Sequence, residues 1–231
     1  MMQRLLTLML ALVPLFALGA APAPQPNWLT TVVATPEGGY RQGNPNAAVK
    51  LVEYGSRTCP TCGRFATEGM KPLRDQFIAT GKVSYEYRDY LVHGAPDLAL
   101  ALLNQCVGTQ RFFPVLDAIY AHQPQFEEKL IALEKTPATL EAWQKLPPPQ
   151  MATRFAEAMG MIAFLKTQGL PEAKARQCLA DPKGIARIAK TQADGANLYK
   201  VDGTPSFFVN GRRVRAFTWP YLEPELRAAG A

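Results

Sequence analysis

The chain has 231 residues, 48% of them hydrophobic and 19% charged, with three Trp, eleven Phe and eight Tyr. That apolar content fills a packed core and excludes a disordered chain, while the lack of a Gly-X-Y period excludes collagen. The formal charge is +6, but Lys and Arg are mixed with Asp and Glu without long like-charge runs, which describes a solvated surface and not a nucleic-acid stripe. The length suits one generous domain or a domain with a sizeable insertion.

The first 23 residues read as a signal peptide. Arg4 is the only charged side chain before Glu37, Leu5 to Leu18 is an apolar run, and small residues follow at Gly19, Ala20 and Ala21. A positive n-region, a short h-region and a small-residue exit describe a secretory signal, and the run is shorter than the ~20 apolar residues of a spanning helix. The prolines at Pro22 and Pro24 leave the cleavage site and a retained anchor open. Export carries the chain to an oxidising compartment where disulfides persist.

Residues 24–46 form a spacer that is Pro-rich at its start and carries a short strand candidate, Leu29 to Val33. Lys50 to Tyr54 is a stronger strand. A cysteine-bearing turn follows, then a helix through about Thr80 with Phe65, Leu73, Phe77 and Ile78 on its apolar side, which Pro72 is expected to kink. Val83 to Tyr90 alternates as a strand. The texture then becomes helical. Leu98, Leu102 and Cys106 make one stripe, Leu116, Ile119 and Tyr120 a second, and Phe155, Met159 and Ile162 a third within Met151 to Thr167. Pro171 opens a helix carrying Cys178, and Ile185, Ile188 and Leu198 mark another. Ser206 to Val209 and Arg213 to Arg215 flank Asn210-Gly211, a strong hairpin signal, and Pro220 to Ala229 closes with a helix.

The informative motif is Cys59-Pro60-Thr61-Cys62, directly after an apolar strand and at the opening of a helix. A thiol there faces unpaired backbone N–H groups and the positive helix end, which favour the thiolate. Pro60 fits the first helical position. The two-residue spacing lets one thiol resolve what the other attacks. A zinc site would need two further ligands, and the only histidines, His93 and His122, are distant in sequence and read as surface residues. Glu53 lies in an otherwise apolar strand, as a buried proton carrier beside a thiol or as an ordinary edge charge facing water. Gly203-Thr204-Pro205 precedes the strand at Ser206. A cis bond there would present the Thr204 backbone to a substrate chain, whereas a trans one would give Pro205 only a bland edge role.

Cys-Pro-Thr-Cys after a strand, with Thr-Pro much later before a hairpin, resembles the thioredoxin superfamily, and the helical block between narrows it to DsbA-like thiol:disulfide oxidoreductases of bacterial envelopes. The resemblance implies an α/β thioredoxin-like fold, a central mixed sheet with a helical insertion. Residues 47–92 and 183–231 would form the thioredoxin-like part and residues 93–182 the insertion. It implies Cys59 as an exposed nucleophile, Cys62 as a buried resolving thiol, Glu53 as the buried acid, and Thr204 with Pro205 as the cis-proline pair that touches cysteines and substrate. With Cys59 and Cys62 paired to each other, Cys106 and Cys178 are left as a second, structural bridge of the kind some DsbA-like proteins carry, or as two buried thiols. The implied protein is a periplasmic monomer with no cofactor and no metal. It would act on unfolded or misoxidised exported proteins and exchange electrons with a membrane partner of the DsbB or DsbD type. Strong oxidants of the family commonly carry His where this chain has Thr61, so less thiolate stabilisation is expected here, with Arg57 as a substitute positive charge or a solvent-facing one. The alternatives within and outside this chemistry are a disulfide isomerase or reductase, and a chaperone-like binding module.

Overall fold

The computed structural model describes residues 26–231; the signal segment and the first two residues of the spacer lie outside them. The chain builds one six-stranded mixed sheet: β1 (Val32–Ala34), β2 (Tyr40–Gly43), β3 (Val49–Gly55), β4 (Val83–Asp89), β5 (Ser206–Val209) and β6 (Arg212–Val214), in spatial order β1-β2-β4-β3-β5-β6. The central pair β3–β4 is parallel, in register from Val49 opposite Val83 to Gly55 opposite Asp89, and every other pairing is antiparallel. A parallel pair brings both carboxyl ends to the same edge of the sheet, where open α/β sheets place their sites. The chain leaves that edge after β3 through Ser56-Arg57-Thr58 and enters α1 (Pro60–Glu68).

β4 is buried along its whole length, because both faces of the sheet are covered. One face meets a core that includes Leu51, Phe65, Leu73, Phe77, Phe207 and Leu222. The helices after β4 surround a second core: α3 (Ala95–Cys106), α4 (Phe112–Ala121), α5 (Gln123–Glu134), α6 (Pro137–Gln144), α7 (Pro148–Ala158), α8 (Met161–Thr167), α9 (Glu172–Leu179) and α10 (Pro182–Asn197). Two elements tie the helical core to the sheet. α4 gives Phe112, Phe113, Leu116 and Tyr120 to the first and Val115 and Ile119 to the second. α10 buries Ile188 in the helical core, and two turns further its Gly195 leaves no room for a Cβ beside the Tyr54 ring. Cys106 of α3 and Cys178 of α9 are joined in a disulfide with a sequence separation of 72. α11 (Trp219–Ala228) packs Leu222 and Leu226 onto the sheet core.

Several elements depart from the sequence expectation. The strand expected over Leu29 to Val33 forms only at its end: Trp28–Thr30 is a 3₁₀ turn and the strand, β1, begins at Val32, while β2 was not anticipated. The helix expected to kink at Pro72 breaks upstream, at Gly69, between α1 and α2 (Met70–Leu73), and continues as a π turn over Arg74–Ile78. Proline lacks the N–H that would bond the carbonyl four residues back, so the interruption falls on the turn before it. Met151 to Thr167 is two helices, α7 and α8, divided at Gly160, whose φ of 71° is left-handed.

Candidate active site

Cys59 occupies the N-cap of α1 with extended backbone (φ −81°, ψ 118°), Pro60 is the first helical residue, and the Gly63 N–H closes the first turn on the Cys59 carbonyl at 3.0 Å. Cys62, one turn in, is wholly buried. Both thiols are free. Cys59 was expected to be exposed and keeps only 8% of its surface, because the Thr204–Pro205 segment lies against it: its Sγ is 3.3 Å from the Thr204 carbonyl oxygen, which accepts from the thiol when it is protonated. The Thr204–Pro205 bond is cis. The Thr204 hydroxyl is buried and has no hydrogen-bond partner among the described residues.

These contacts separate the two thiols. Cys59 is lowered from 9.0 to about 5, first by a hydrogen bond from the Cys62 thiol, against the opposing effect of burial, and then by the Thr204 hydroxyl and the backbone N–H groups of Cys62 and Thr61. Cys62 is raised well above the ordinary range by burial, by its bond to Cys59 and by the nearby charges of Glu53 and Cys59. One sulfur is ionised at neutral pH while the other holds its proton.

Glu53 faces inward. It is 2% exposed, in the middle of β3 between Tyr87 and Phe207 of the flanking strands, and its Oε2 accepts the Tyr85 hydroxyl at 2.7 Å. Burial raises its pKa to about 8; the Tyr85 bond opposes this and the Cys59 charge adds to it. A carboxyl poised near neutrality beside a buried thiol can hold or release a proton on either side of physiological pH.

Arg57 points neither to the thiolate nor to solvent. It is 2% exposed, ion-paired with Asp89 at the end of β4, bonded through Nε and Nη2 to the Asn104 side-chain oxygen at 3.0 and 2.8 Å, and stacked over the Tyr87 and Phe112 rings. Its guanidinium pKa rises: burial works against the charge, and Asp89 together with the Tyr87 and Tyr120 hydroxyls more than offsets it. Gln105 bridges from Asp89 to Arg187 of α10, at 2.7 Å to each. This pair therefore pins the end of the sheet to the helical core.

A second set of residues escaped the sequence reading. Asp97, 1% exposed in the first turn of α3, accepts from the Ser56 hydroxyl at 2.8 and 2.9 Å and from the backbone N–H groups of Thr58, Val92 and His93 at 3.1, 2.9 and 3.1 Å. Gln123 donates to the carbonyls of Arg57 and Cys59 at 2.9 and 3.0 Å, and Tyr120 donates to that of Ser56 at 3.1 Å. The backbone leading into Cys59 is thus held from the insertion. An acid in the first turn after Gly94-Ala95-Pro96 was a readable helix-start signal; nothing in the sequence marks Gln123. His93 is exposed as expected, yet its Nδ1 lies 2.7 Å from the Thr58 hydroxyl. His122 is half-buried and stacked on Phe164 at 4.4 Å, a correction to its reading as a plain surface residue, caused by the closeness of α8. Among the described residues no cluster of three or more His, Cys, Asp or Glu is arranged to hold a metal, and no helix is long and apolar enough to cross a membrane.

Comparison with known proteins agrees with this geometry. A structure of a protein-disulfide isomerase from Novosphingobium aromaticivorans superposes with a TM-score of 0.79 at 28% identity, covering 84% of this chain and 98% of the other. Wolbachia pipientis alpha-DsbA1 superposes with a TM-score of 0.63 at 18% identity, over 82% and 89% of the two chains, a likeness of fold. A Rickettsia felis protein named "Putative protein-disulfide oxidoreductase" is 28% identical over 169 residues, 73% of this chain and 52% of its own length. The chain therefore spans about half the length of the curated relatives it matches. The thioredoxin family's sequence pattern matches residues 35–224, and the chain belongs to that family, with the DsbA-like arrangement of a helical block set into the thioredoxin fold.

Proposed function

We propose that the protein is a thiol:disulfide oxidoreductase that introduces or exchanges disulfides in exported proteins. The observation that carries this reading is the inequality of the two thiols, Cys59 held at about 5 and Cys62 pushed well up. In the oxidising direction a client thiolate attacks the Cys59 sulfur of the Cys59–Cys62 disulfide. The Cys59–Cys62 bond breaks, a mixed disulfide forms, and Cys62 leaves with the electron pair and takes a proton, which Glu53 can supply. A second client thiolate then attacks the client sulfur of the mixed disulfide. Cys59 leaves as a thiolate, the client gains a disulfide, and two electrons have passed to the pair. A leaving thiol of low pKa departs faster, and a stabilised thiolate favours the reduced pair, so both the kinetics and the equilibrium lean towards oxidation. Thr204 and Pro205 are the backbone against which the client chain pairs as an added strand.

The setting we propose is the periplasm, reached through the N-terminal signal, with the pair restored by a membrane redox partner of the DsbB or DsbD type and the enzyme acting as a monomer. Equilibration with glutathione tests the direction of exchange: a potential near or above that of glutathione makes the protein an oxidase or isomerase, and one well below makes it a reductase. Cys62→Ser is expected to trap mixed disulfides with client proteins through Cys59. A protein that still prevents aggregation of a reduced substrate, and shows no thiol exchange, after Cys59→Ala and before it alike would be a binding module instead.

A further inference from the structure

A depression of about 260 Å³ opens directly beside the nucleophile, walled by its two chain neighbours Thr58 and Pro60. Its floor is apolar: Phe126, Leu130 and Ile131 of α5, with Met159 behind them. Phe126 and Met159 are buried by the helical core, while Ile131 remains 47% exposed, a large apolar side chain left uncovered next to a reactive site. Glu127 and Glu134 stand on the same side of α5, two helical turns apart, and both line the depression. Both are exposed, and neither enters an ion pair among the described residues. The only other titratable side chain lining it is His93. This groove shares no lining residue with the depression along Thr204 and Pro205, which carries Arg213, Arg215 and Phe217.

We propose that the α5 groove selects the client segment next to the reacting cysteine, and that it favours an apolar residue accompanied by Lys or Arg. The proposal rests on the disulfide-exchange reading of the site. An extended chain advances about 3.3 Å per residue, so a client cysteine joined to Cys59 carries into the groove a side chain two to four residues away. The apolar side chain covers Ile131 and Leu130; the basic one meets Glu127 or Glu134 at the rim, where a charge mainly sets partner choice and encounter rate. The whole protein, at +6, attracts acidic peptides at long range. A preference for basic clients therefore cannot come from net charge and must be local.

The test uses the reduced full chain and synthetic peptides whose single cysteine is disulfide-bonded to a neutral small thiol. The peptides carry Leu-Lys, Leu-Glu or Ser-Lys three residues from the cysteine, on either side. At low ionic strength the Leu-Lys peptide is expected to react about fivefold faster than Leu-Glu, on one side of the cysteine, a ratio in the range of partly exposed charge contacts. Leu-Lys should also outrun Ser-Lys. In Glu127→Lys/Glu134→Lys the Lys:Glu ratio should invert, and in Ile131→Ser the Leu advantage should shrink while the charge preference stays. The ratio within each protein is the readout, so a change in overall rate does not blur it. A wild type that prefers the acidic peptide, or a ratio that the double charge reversal leaves in place, overturns the proposal. Hydroxyethyl disulfide, too small to reach the groove, reports separately on the disulfide-exchange reading in the wild type: no reaction with it would remove that reading and the groove proposal together.

Discussion

The Thr204 hydroxyl is the most direct handle on the thiolate. Cys59 sits near 5 against 9.0 for an unperturbed thiol, which corresponds to roughly 5 kcal/mol of preference for the charged form at about 1.36 kcal/mol per unit. Four donors share that preference, the Cys62 thiol first, then Thr204 and two backbone N–H groups. A hydrogen bond to a charged group contributes about 1.5–3 kcal/mol, and Thr204 is the smaller of the two side-chain donors, so the low end applies. Thr204→Val removes the donor and keeps the shape. Cys59 is expected to rise by about one unit, and because the reduced pair loses about 1.4 kcal/mol relative to the disulfide, the potential should fall by about 30 mV. Thr204→Ser, which keeps the hydroxyl, should stay close to the wild type. The assay is a pH titration of thiolate absorbance in the reduced protein, paired with a glutathione equilibrium. A folded Thr204→Val variant with the wild-type Cys59 pKa and potential would show that the hydroxyl does not serve the sulfur.

Glu53 and Cys59 push the pH dependence of stability in opposite directions. Glu53 keeps its proton to about 8 in the folded chain and loses it near 4.5 when unfolded, so the folded state binds more protons in that window and stability falls as pH rises through it. Cys59 is the reverse: its contribution is present above 9 and is lost as pH falls through about 5. Glu53→Gln should therefore gain on the order of 3 kcal/mol relative to wild type at pH 7, less at pH 5, in urea melts of the reduced protein, while slowing proton-coupled release of Cys62; a constant difference across that window would count against a protonated Glu53. The Cys106–Cys178 bridge closes a loop with a separation of 72, so Cys106→Ala/Cys178→Ala is expected to lose up to about 4 kcal/mol in the chain-entropy model. Because the bridge links α3 to α9, the same variant should leave the Cys59 pKa in place, and a shifted thiolate titration would mean that the insertion sets the chemistry as well as the stability.

What the sequence disclosed follows from how local each signal is. The cysteine motif, β3, β4 and the Asn210-Gly211 hairpin are short patterns whose chemistry is complete within a few residues, and they were read at or within a residue or two of their observed limits. Glu53 could not be decided by alternation, because β3 is covered on both faces and the period-2 pattern carries no direction there. β2 reads Tyr-Arg-Gln-Gly, with no apolar alternation, and exists because β4 offers it an edge. α5 and α6 escaped because their exposed faces dominate: α5 buries only Gln123 and Phe126 and α6 buries nothing fully. Asp97 and Gln123 act on a loop 39 to 66 residues away in the chain, a relation set by where tertiary packing places the first turns of α3 and α5 and absent from any window of sequence. Arg57 misled for the same reason. Its position beside the motif suggested a partner for the thiolate, whereas its partner, Asp89, arrives through the parallel pairing of β3 with β4.

That reassignment changes how the thiolate is held. With Thr61 between the cysteines and Arg57 engaged by Asp89, the groups that lower Cys59 most are neutral donors: a thiol, a hydroxyl and two peptide N–H groups. Short-range donors in a covered site are screened little by salt, whereas an exposed charge at the same distance is screened strongly. The Cys59 pKa of the wild type should accordingly move little between low and high ionic strength. Thr61 is half-buried at the second helical position, so Thr61→His adds an ionisable cation at the rim of the same sulfur. Its imidazolium should lower Cys59 further at low salt, and the added part should shrink as salt rises, giving the variant the ionic-strength dependence that the wild type lacks. Thiolate titrations of both proteins at two salt concentrations decide the matter. A wild-type pKa that climbs steeply with salt would mean that a charge, and not the neutral donors around it, keeps Cys59 ionised.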